Sequence, residues 1–251
     1  MRIVVAGGTG MVGRFTVEAA REAGHHVSAL SRARGADVLT GRGLAEAVAD
    51  ADAVIDVTNI TTLSAAKARE FFETETRHLL AAEEKAGVQH HVALSIVGID
   101  GIDASYYAGK LAQERAVATG RVPFTVARAA QFHEFAGQLL AQQRGPVALM
   151  PRLLMRPVAA REVGAHLVRV VEGGPVGRAQ DLVGPRDEML ADVARRQLAS
   201  EGSRRQVLGM RLPGAYGRGL GSGSLRGGPD AMRGAMDFDE WLRSGDHRPV
   251  A

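Results

Sequence analysis

Short apolar runs alternate with amphipathic stretches along the first half of the chain. Residues 2–6 (RIVVA) and 51–57 (ADAVIDV) are nearly continuous in apolar character, as expected of strands that are covered on both faces. The stretches between the apolar runs carry the period of amphipathic helices. This alternation predicts successive βαβ units, and therefore an α/β protein built on a parallel sheet.

The same pattern predicts the individual elements. Ser64 is a good N-cap and Gly87 a good left-handed C-cap, so they delimit the longest helix. Strands are predicted at residues 2–6, 26–30, 36–39, 51–57, 91–96, 124–129, 179–183 and 207–212. Helices are predicted at residues 11–23, 64–87, 103–119, 161–172, 187–200 and 238–242. The glycine-rich segment, residues 214–228, has no periodicity and is predicted to be a mobile loop or lid, or disordered.

A glycine motif joins the first strand to the first helix. Residues 6–13 read AGGTGMVG, with glycines three residues apart. In such a turn the first glycine permits the tight bend, the middle one lets backbone N–H groups approach a pyrophosphate, and the third lets helix and strand pack closely. The helix start also favours an anion. The motif predicts a dinucleotide site formed by Gly7, Thr9, Gly10, Met11, Val12 and Gly13.

The end of the second strand indicates which dinucleotide binds. Proteins that bind NAD usually carry an acid there for the ribose 2′-hydroxyl, but this strand is followed by Ser31, Arg32 and Arg34. Guanidinium groups bind a 2′-phosphate with charge-assisted bonds, so NADP(H) is the predicted cofactor. The alternative is that both arginines are ordinary surface charges. Thr58 and Asn59, after residues 51–57, are predicted either to contact the cofactor or to form a turn.

A second constellation has the residue types of a reductase. Tyr106 and Lys110 are four residues apart, so they share a helix face, and Ser95 ends the preceding strand. Only three of the 31 basic residues of the chain are Lys, so this Lys is informative. Reduction of a carbonyl needs a proton donor, and an ammonium near the phenol is expected to lower the Tyr106 pKa. Tyr107 is assigned to packing. The alternative is a helix that borders the cofactor without catalysing anything.

These motifs resemble the extended and atypical short-chain dehydrogenase/reductase superfamily, and in particular its NmrA-like group. The resemblance rests on the three glycines, Arg32, Ser95, the run YYAGKLAQE at 106–114 and the run AQFHEF at 130–135, with weaker landmarks at 158–163 and 184–185. It implies a doubly wound Rossmann fold, the catalytic triad Ser95, Tyr106 and Lys110, and contact of Lys110 with the nicotinamide ribose.

The resemblance also sets the functional hypotheses. The first is an NADPH-dependent reductase of a carbonyl or quinone-like small molecule, with Tyr106 as general acid. The alternatives are an NADP(H)-sensing regulator without catalysis, and a sugar epimerase or dehydratase. Gln131, Phe132 and His133 follow a strand end, where they either line the substrate pocket or cap a helix. We expect one domain over residues 1–251, with a dinucleotide-binding core at 1–145 and a substrate-covering region at 146–251.

Composition excludes further classes of protein function. The net charge of +3 is spread along the chain and aromatic residues make up 4%, which argues against nucleic-acid binding. There is no Cys, and the paired His residues at 25–26 and 90–91 alternate faces, so no metal site is expected. No apolar run reaches the roughly 20 residues that span a bilayer. We expect a cytoplasmic protein that acts on a small molecule, and a homodimer is left open.

Overall fold

Five parallel strands form the centre of the computed structural model, which describes residues 1–247. Strand β1 (Arg2–Ala6) pairs with β2 (His26–Leu30) on one side and with β3 (Ala53–Asp56) on the other. Strand β4 (His90–Ile96) follows β3, and β5 (Phe124–Ala129) follows β4. The order β5-β4-β3-β1-β2 reverses direction at β1, which is where ligands bind in doubly wound sheets.

The remaining elements follow in chain order. The helices are α1 (Met11–Glu22), α2 (Leu44–Val48), α3 (Ala65–Ala86), α4 (Ser105–Thr119), α5 (Phe135–Ala141), α6 (Ala160–Glu172), α7 (Leu190–Ser200), α8 (Gly214–Gly221) and α9 (Phe238–Arg243). The later strands are β6 (Val147–Pro151), β7 (Leu154–Met155), β8 (Gly177–Arg178), β9 (Leu182–Val183), β10 (Glu188–Met189), β11 (Gln206–Met210) and β12 (Met232–Arg233). Two short 3-10 helices lie at Arg32–Arg34 and Ser224–Arg226.

Contacts divide the chain into two interleaved units. Unit 1 contains residues 1–95, 103–128 and 161–180, and unit 2 contains 96–102, 129–160 and the described part of 181–251. The units alternate along the chain, whereas the predicted division has one boundary near residue 145. The single domain and the substrate-covering role of residues 146–251 therefore stay predictions, and residues 248–251 of that region lie outside the described part.

Unit 1 contains the five-stranded sheet and its helices. Right-handed crossovers place α1 on one face and α2, α3 and α4 on the other. Helix α3 has the predicted caps, since the Ser64 hydroxyl accepts from the Lys67 N–H at 3.3 Å and Gly87 is left-handed at φ +73°. Gly109 of α4 lets that helix touch α3, because a Cβ there would lie 2.7 Å from the Ala68 backbone. This close contact holds the part of α4 around Gly109 against α3.

Unit 2 is built from short strand pairs and helices. Strand β9 pairs in parallel with β12 and, at Ala129, with the end of β5. Strands β6 and β11 form a separate parallel pair, and β7 and β10 an antiparallel one. Helix α9 begins with a capping box of Asp237 and Glu240 and buries the single Trp of the chain, Trp241, as its amphipathic pattern predicts.

The parallel α/β Rossmann fold predicted from the sequence is confirmed, and one predicted strand is wrong. Residues 36 and 37 have no regular structure and residues 38–40 form a turn, in which the Asp37 carbonyl accepts from the Gly41 N–H at 2.9 Å. Ala36 is buried in the same core cluster as Leu44, so its apolar character serves packing beneath α2 rather than strand pairing. The short helix α2 itself was not predicted.

The prediction that the glycine-rich segment is a loop or disordered is also wrong, whereas its role as a lid stays a prediction. Residues 214–221 form α8, and Ser224–Arg226 is a 3-10 helix. Leu220 and Leu225 are buried, which anchors the segment within unit 2. Because glycines dominate this segment, the sequence pattern did not predict that these two leucines are buried. Among residues 1–247, none of the helices combines the length and apolar character that crossing a bilayer requires.

Candidate functional site

The turn after β1 has the backbone geometry predicted from its glycines. Gly7 has φ +78°, and a Cβ there would lie 2.9 Å from the Val57 carbonyl oxygen. A Cβ on Gly13 would lie 2.1 Å from the Gly7 carbonyl oxygen. Neither position accepts a side chain, so the turn brings bare backbone to the start of α1.

The start of α1 has the properties of an anion site. The N-cap is Gly10, which offers no side-chain cap, and the first turn contains no acid. Thr9 and Gly10 are exposed and Met11 is partly exposed, whereas Val12 is buried and could contact a ligand only through its backbone. Backbone N–H groups and the helix dipole here suit a pyrophosphate.

Two arginines lie where the second strand ends. Ala6 pairs with Leu30, so the turn after β1 and the 3-10 helix Arg32–Arg34 leave the sheet at the same edge. Both guanidinium groups are exposed, and within residues 1–247 neither has an ion-pair or hydrogen-bond partner. Ser31 precedes them as the N-cap residue. No Asp or Glu lies within residues 31–36, so this corner is positively charged.

Two polar residues follow β3 at the same edge. The Thr58 N–H donates to Asp56 at 2.9 Å, while the buried Thr58 hydroxyl has no hydrogen-bond partner among residues 1–247. Exposed Asn59 accepts through its Oδ1 atom from the Tyr106 hydroxyl at 2.7 Å. The contact between Asn59 and Tyr106 was not predicted, although both residues were expected at the carboxyl ends of neighbouring strands.

Three predicted catalytic residues have three different surroundings. Ser95 is buried at the end of β4, and its hydroxyl has no hydrogen-bond partner in the described chain. Tyr106, in the first turn of α4, is partly exposed, while Tyr107 is buried as predicted. Lys110 is only 3% exposed. Its ammonium lies 4.4 Å from the ring centroid of Phe72, whose ring also contacts the Tyr106 ring at a centroid distance of 5.7 Å.

Lys110 extends into a buried polar cluster, the Lys110 cluster, formed with Asp56, Glu75 and Gln113. The Lys110 ammonium donates to the Gln113 side-chain oxygen. The Gln113 amide in turn donates to Asp56 at 2.7 Å and to Glu75 at 2.9 Å. Both carboxylates are fully buried. Asp56, Glu75 and Gln113 were not predicted from the sequence, although Gln113 is three residues from Lys110 on the same helix and could have been paired with it.

Burial and charge shift the pKa values around this cluster. Burial lowers the pKa of Lys110, and the nearby carboxylates of Asp56, Glu75 and Glu114 oppose that change. Burial and the Asp56 charge raise the pKa of Glu75 well above its ordinary value. The same two causes raise the pKa of Tyr106. The expected lowering of the Tyr106 pKa is therefore wrong for this arrangement, because burial disfavours the phenolate and the charge that acts on it is the negative charge of Asp56.

The predicted substrate residues belong to unit 2. Gln131 is buried and Phe132 is partly buried. His133 is 1% exposed, bonds through Nε2 to the Met236 carbonyl oxygen at 3.1 Å and packs 5.6 Å from the Trp241 ring. Burial lowers the pKa of His133 to about 4, so its ring is neutral at physiological pH. His133 thus packs within unit 2, and a role for these residues in substrate binding stays a prediction.

The adjacent histidines at the start of β4, His90 and His91, have separate hydrogen-bond partners. The His91 ring bonds to Glu83 at 2.9 Å and the His90 ring to Thr125 at 2.8 Å. Within the described residues no cluster of three or more His, Asp or Glu side chains could hold a metal ion.

Comparison with known families agrees with this geometry. Residues 3–100 match the model of the NAD dependent epimerase/dehydratase family. This segment holds the glycine turn, both arginines, Asn59 and Ser95. The match confirms the resemblance to the extended short-chain dehydrogenase/reductase superfamily and supports a nicotinamide dinucleotide as cofactor. Among curated proteins, none matches the sequence significantly.

Several solved structures share the fold over nearly the whole chain. An NAD-dependent NDP-hexosamine 5,6-dehydratase of tunicamycin biosynthesis gives a TM-score of 0.71 at 16% identity, over 96% of this chain and 95% of that one. An NADPH-dependent quinone oxidoreductase from Escherichia coli gives 0.69 at 15% identity, over 96% and 98%. The Citrobacter sp. triphenylmethane reductase, complexed with NADP(H), gives 0.69 at 16% identity, over 97% and 99%. At these identities the likeness establishes the fold.

Proposed function

We propose that this chain, whose first hundred residues match the NAD dependent epimerase/dehydratase family, is an NADPH-dependent reductase of a carbonyl or quinone-like small molecule. The observation that carries the proposal is the position of the Tyr106 hydroxyl. It is bonded to Asn59 at the carboxyl edge of the sheet, the edge to which the glycine turn and the two arginines also belong. A proton donor and a dinucleotide cradle at one sheet edge are what carbonyl reduction requires.

The residues of this edge fit NADPH. The backbone of Gly7, Gly10 and Gly13 would hold the pyrophosphate, because a Cβ at the first or third glycine would collide with neighbouring backbone. Arg32 and Arg34 would bind the 2′-phosphate, since no carboxylate competes for their guanidinium groups. When bound, NADPH supplies the hydride. The comparison with NADP(H)-binding reductases of the same fold supports this choice of cofactor.

The side chains at this edge would then supply the proton and orient the substrate. Asn59 would orient the phenol before the reaction, and Tyr106 would give up this hydrogen bond to donate its one hydroxyl proton to the substrate oxygen. The raised pKa of Tyr106 keeps the phenol protonated at neutral pH, which suits a proton donor. The Ser95 hydroxyl, which has no hydrogen-bond partner in the described chain, would orient the substrate oxygen. A contact of Lys110 with the nicotinamide ribose stays a prediction, which requires the Lys110 ammonium to leave its hydrogen bond with Gln113.

One test combines binding with turnover. NADPH and NADH are titrated separately into wild type and Arg32→Gln, and loss of absorbance at 340 nm is followed with a panel of quinones and ketones. We expect Arg32→Gln to weaken NADPH binding about tenfold or more and to leave NADH binding unchanged, because a charge-assisted bond to phosphate is lost. Equal weakening for both dinucleotides would contradict the assignment of the 2′-phosphate.

The catalytic role is tested with two neighbouring tyrosines. Tyr106→Phe should lower kcat about 100-fold or more while NADPH still binds, because the proton donor is removed. Tyr107→Phe is the matched control, since Tyr107 is buried one position further along α4, and its kcat should change little. NADPH binding without any turnover, or equal kcat values for the two variants, would overturn the reductase proposal.

The raised pKa of Tyr106 gives a pH prediction. The phenol acts as donor only while protonated, so activity would be lost only as the pH rises through the Tyr106 pKa. Because that pKa lies above its ordinary value of about 10, we expect kcat/KM for reduction to stay flat from about pH 6 to about pH 9. A decline centred near neutral pH would show that a different group donates the proton.

The family description favours a second candidate, a nucleotide-sugar epimerase or dehydratase. Such an enzyme uses its cofactor transiently and regenerates it, so it converts substrate without net loss of absorbance at 340 nm. Incubation with nucleotide sugars, followed by chromatography of the products, distinguishes the two. Conversion of a nucleotide sugar, with no oxidation of NADPH by any carbonyl compound, would favour this candidate.

A further inference from the structure

A pocket of about 370 Å³ lies within unit 2. Its lining shares no residue with the edge of the sheet in unit 1 described above. Three arginines, Arg152, Arg211 and Arg218, line it. The apolar side of the pocket is formed by Pro151, Leu212 and Leu220.

Strand pairing brings two of these arginines together. Pro151 and Met210 are partners in the parallel pair of β6 and β11, and the Arg152 N–H donates to the Met210 carbonyl oxygen at 2.7 Å. Arg152 and Arg211 are therefore the next residues on adjacent strands. The main-chain bonds fix the backbone positions of both residues, so their side chains start from adjacent points at the end of this ladder.

Helix α8 contributes the third arginine. A Cβ at Gly217 would lie 1.7 Å from the Leu212 carbonyl oxygen, so only glycine lets α8 fold back this closely on the chain that leaves β11. Arg218 comes directly after this contact. The glycine thus holds Arg218 beside the pocket, a placement that composition alone would assign to a flexible loop.

The three charges have no counter-charge in the part of the chain that the structure describes. Arg152, Arg211 and Arg218 are exposed, none of their guanidinium groups has a partner within residues 1–247, and no acid lines the pocket. Elsewhere in unit 2, Arg156 and Arg226 share the carboxylate of Asp187. Clustered like charges repel each other, so this arrangement costs stability in the absence of an anion.

We propose that this pocket binds a small organic phosphate, a dianion with an apolar portion. Three guanidinium groups carry more charge than one carboxylate neutralises, and their forked donors match phosphate oxygens. The volume lies within the range of small-molecule sites, about 300 to 1,000 Å³. Pro151, Leu212 and Leu220 offer an apolar surface to the rest of such a ligand. The proposal rests on unit 2 alone and does not depend on the proposed redox function.

The test is calorimetric titration of the full chain with phenyl phosphate, inorganic phosphate and phenol as probes. Wild type is compared with Arg152→Gln, Arg211→Gln and Arg218→Gln. Arg204→Gln is the matched control, because Arg204 is also exposed and unpartnered in unit 2 but does not line the pocket. Thermal unfolding of each variant without ligand checks the fold, and removal of a repelling charge should leave Tm unchanged or raise it. Titration of Arg32→Gln with phenyl phosphate separates this pocket from the dinucleotide site.

We expect phenyl phosphate to bind more tightly than inorganic phosphate, and phenol not to bind measurably. Each pocket variant should weaken phenyl phosphate binding about tenfold or more, whereas Arg204→Gln and Arg32→Gln should change it less than about twofold. Equal weakening by Arg204→Gln would show non-specific attraction to a basic surface and overturn the proposal. Loss of binding in Arg32→Gln alone would assign the phosphate to the dinucleotide site, and would equally overturn it.

Discussion

The glycine turn at residues 7–13 and the glycine-rich segment at residues 214–228 have similar compositions and different reasons for their glycines. In the turn, a Cβ at Gly7 would meet the backbone of Val57, and a Cβ at Gly13 would meet the backbone of Gly7. Gly7 also has a positive φ. In the segment, Gly217 faces the Leu212 carbonyl oxygen, but Gly221 and Gly228 face open space. The turn is specified by its motif glycines, whereas the segment combines close approaches at Gly217, Gly219 and Gly227 with glycines that face open space and with two buried leucines.

The comparison shows that position decides what a glycine does. A motif of fixed spacing between a strand and a helix predicted the turn correctly. Glycine content without such a motif predicted a mobile or disordered segment, and the structure contains a helix there. Substitutions by Ala separate the two cases, because each adds one methyl group at a known distance from a known atom.

The largest effect is expected in the turn. Gly13→Ala places a Cβ 2.1 Å from the Gly7 carbonyl oxygen and 2.7 Å from the Gly8 Cα, and backbone on both sides leaves little room to adjust. We expect a loss of about 3 kcal/mol or more in the free energy of unfolding, together with loss of dinucleotide binding. Denaturant titration and NADPH titration measure the two effects. Gly10→Ala, whose Cβ would meet no atom closer than 3.2 Å, is the milder control.

An intermediate effect is expected at Gly217. The new Cβ would overlap the Leu212 carbonyl oxygen, but that oxygen is only five residues away and the end of α8 can shift with it. We expect a loss of about 1 to 3 kcal/mol in the free energy of unfolding. NADPH binding should be unchanged, since the substitution lies in unit 2. A loss as large as that of Gly13→Ala would remove the distinction between the two regions.

The smallest effect, with the opposite sign, is expected at Gly221. This exposed last residue of α8 has no atom within 4 Å of a Cβ. Gly221→Ala should stabilise the protein by about 0.5 to 1 kcal/mol, because Ala loses less backbone entropy on folding into a helix. Denaturant titration against wild type measures the change. Destabilisation would mean that the segment needs this glycine for a contact absent from the structure.

Much of the fold could be predicted because local signals specify it. The sequence predicts the bounds of β1, β2 and β5 to the residue, and Ser64 and Gly87 delimit α3 as expected of its caps. The strand predicted at residues 36–39 is wrong because three apolar residues among four are equally compatible with a turn packed on the core. There the buried position of Ala36 depends on α2, whose five residues carry little periodicity.

The parts of the candidate site that follow a single strand end could be predicted from the sequence. The parts that need side chains from several helices and strands could not. The glycine turn and the two arginines follow directly from local sequence. The direction of the Lys110 side chain does not, because it depends on Gln113, on Asp56 from β3 and on Glu75 from α3. Partners 38 and 57 residues from Gln113 leave no periodic trace in the sequence.

The interleaving of the two units has a consequence for how the chain is made. Helix α6 belongs to unit 1, and its Gly164 packs against the backbone of Phe15 in α1, although 149 residues separate them. A nascent chain on the ribosome therefore exposes this face of its first helix until most of the protein has been synthesised. Contacts of such sequence separation slow folding, so we expect the chain to fold late, after translation has passed residue 180. Truncations before that residue should accumulate as aggregates rather than as a folded amino-terminal fragment.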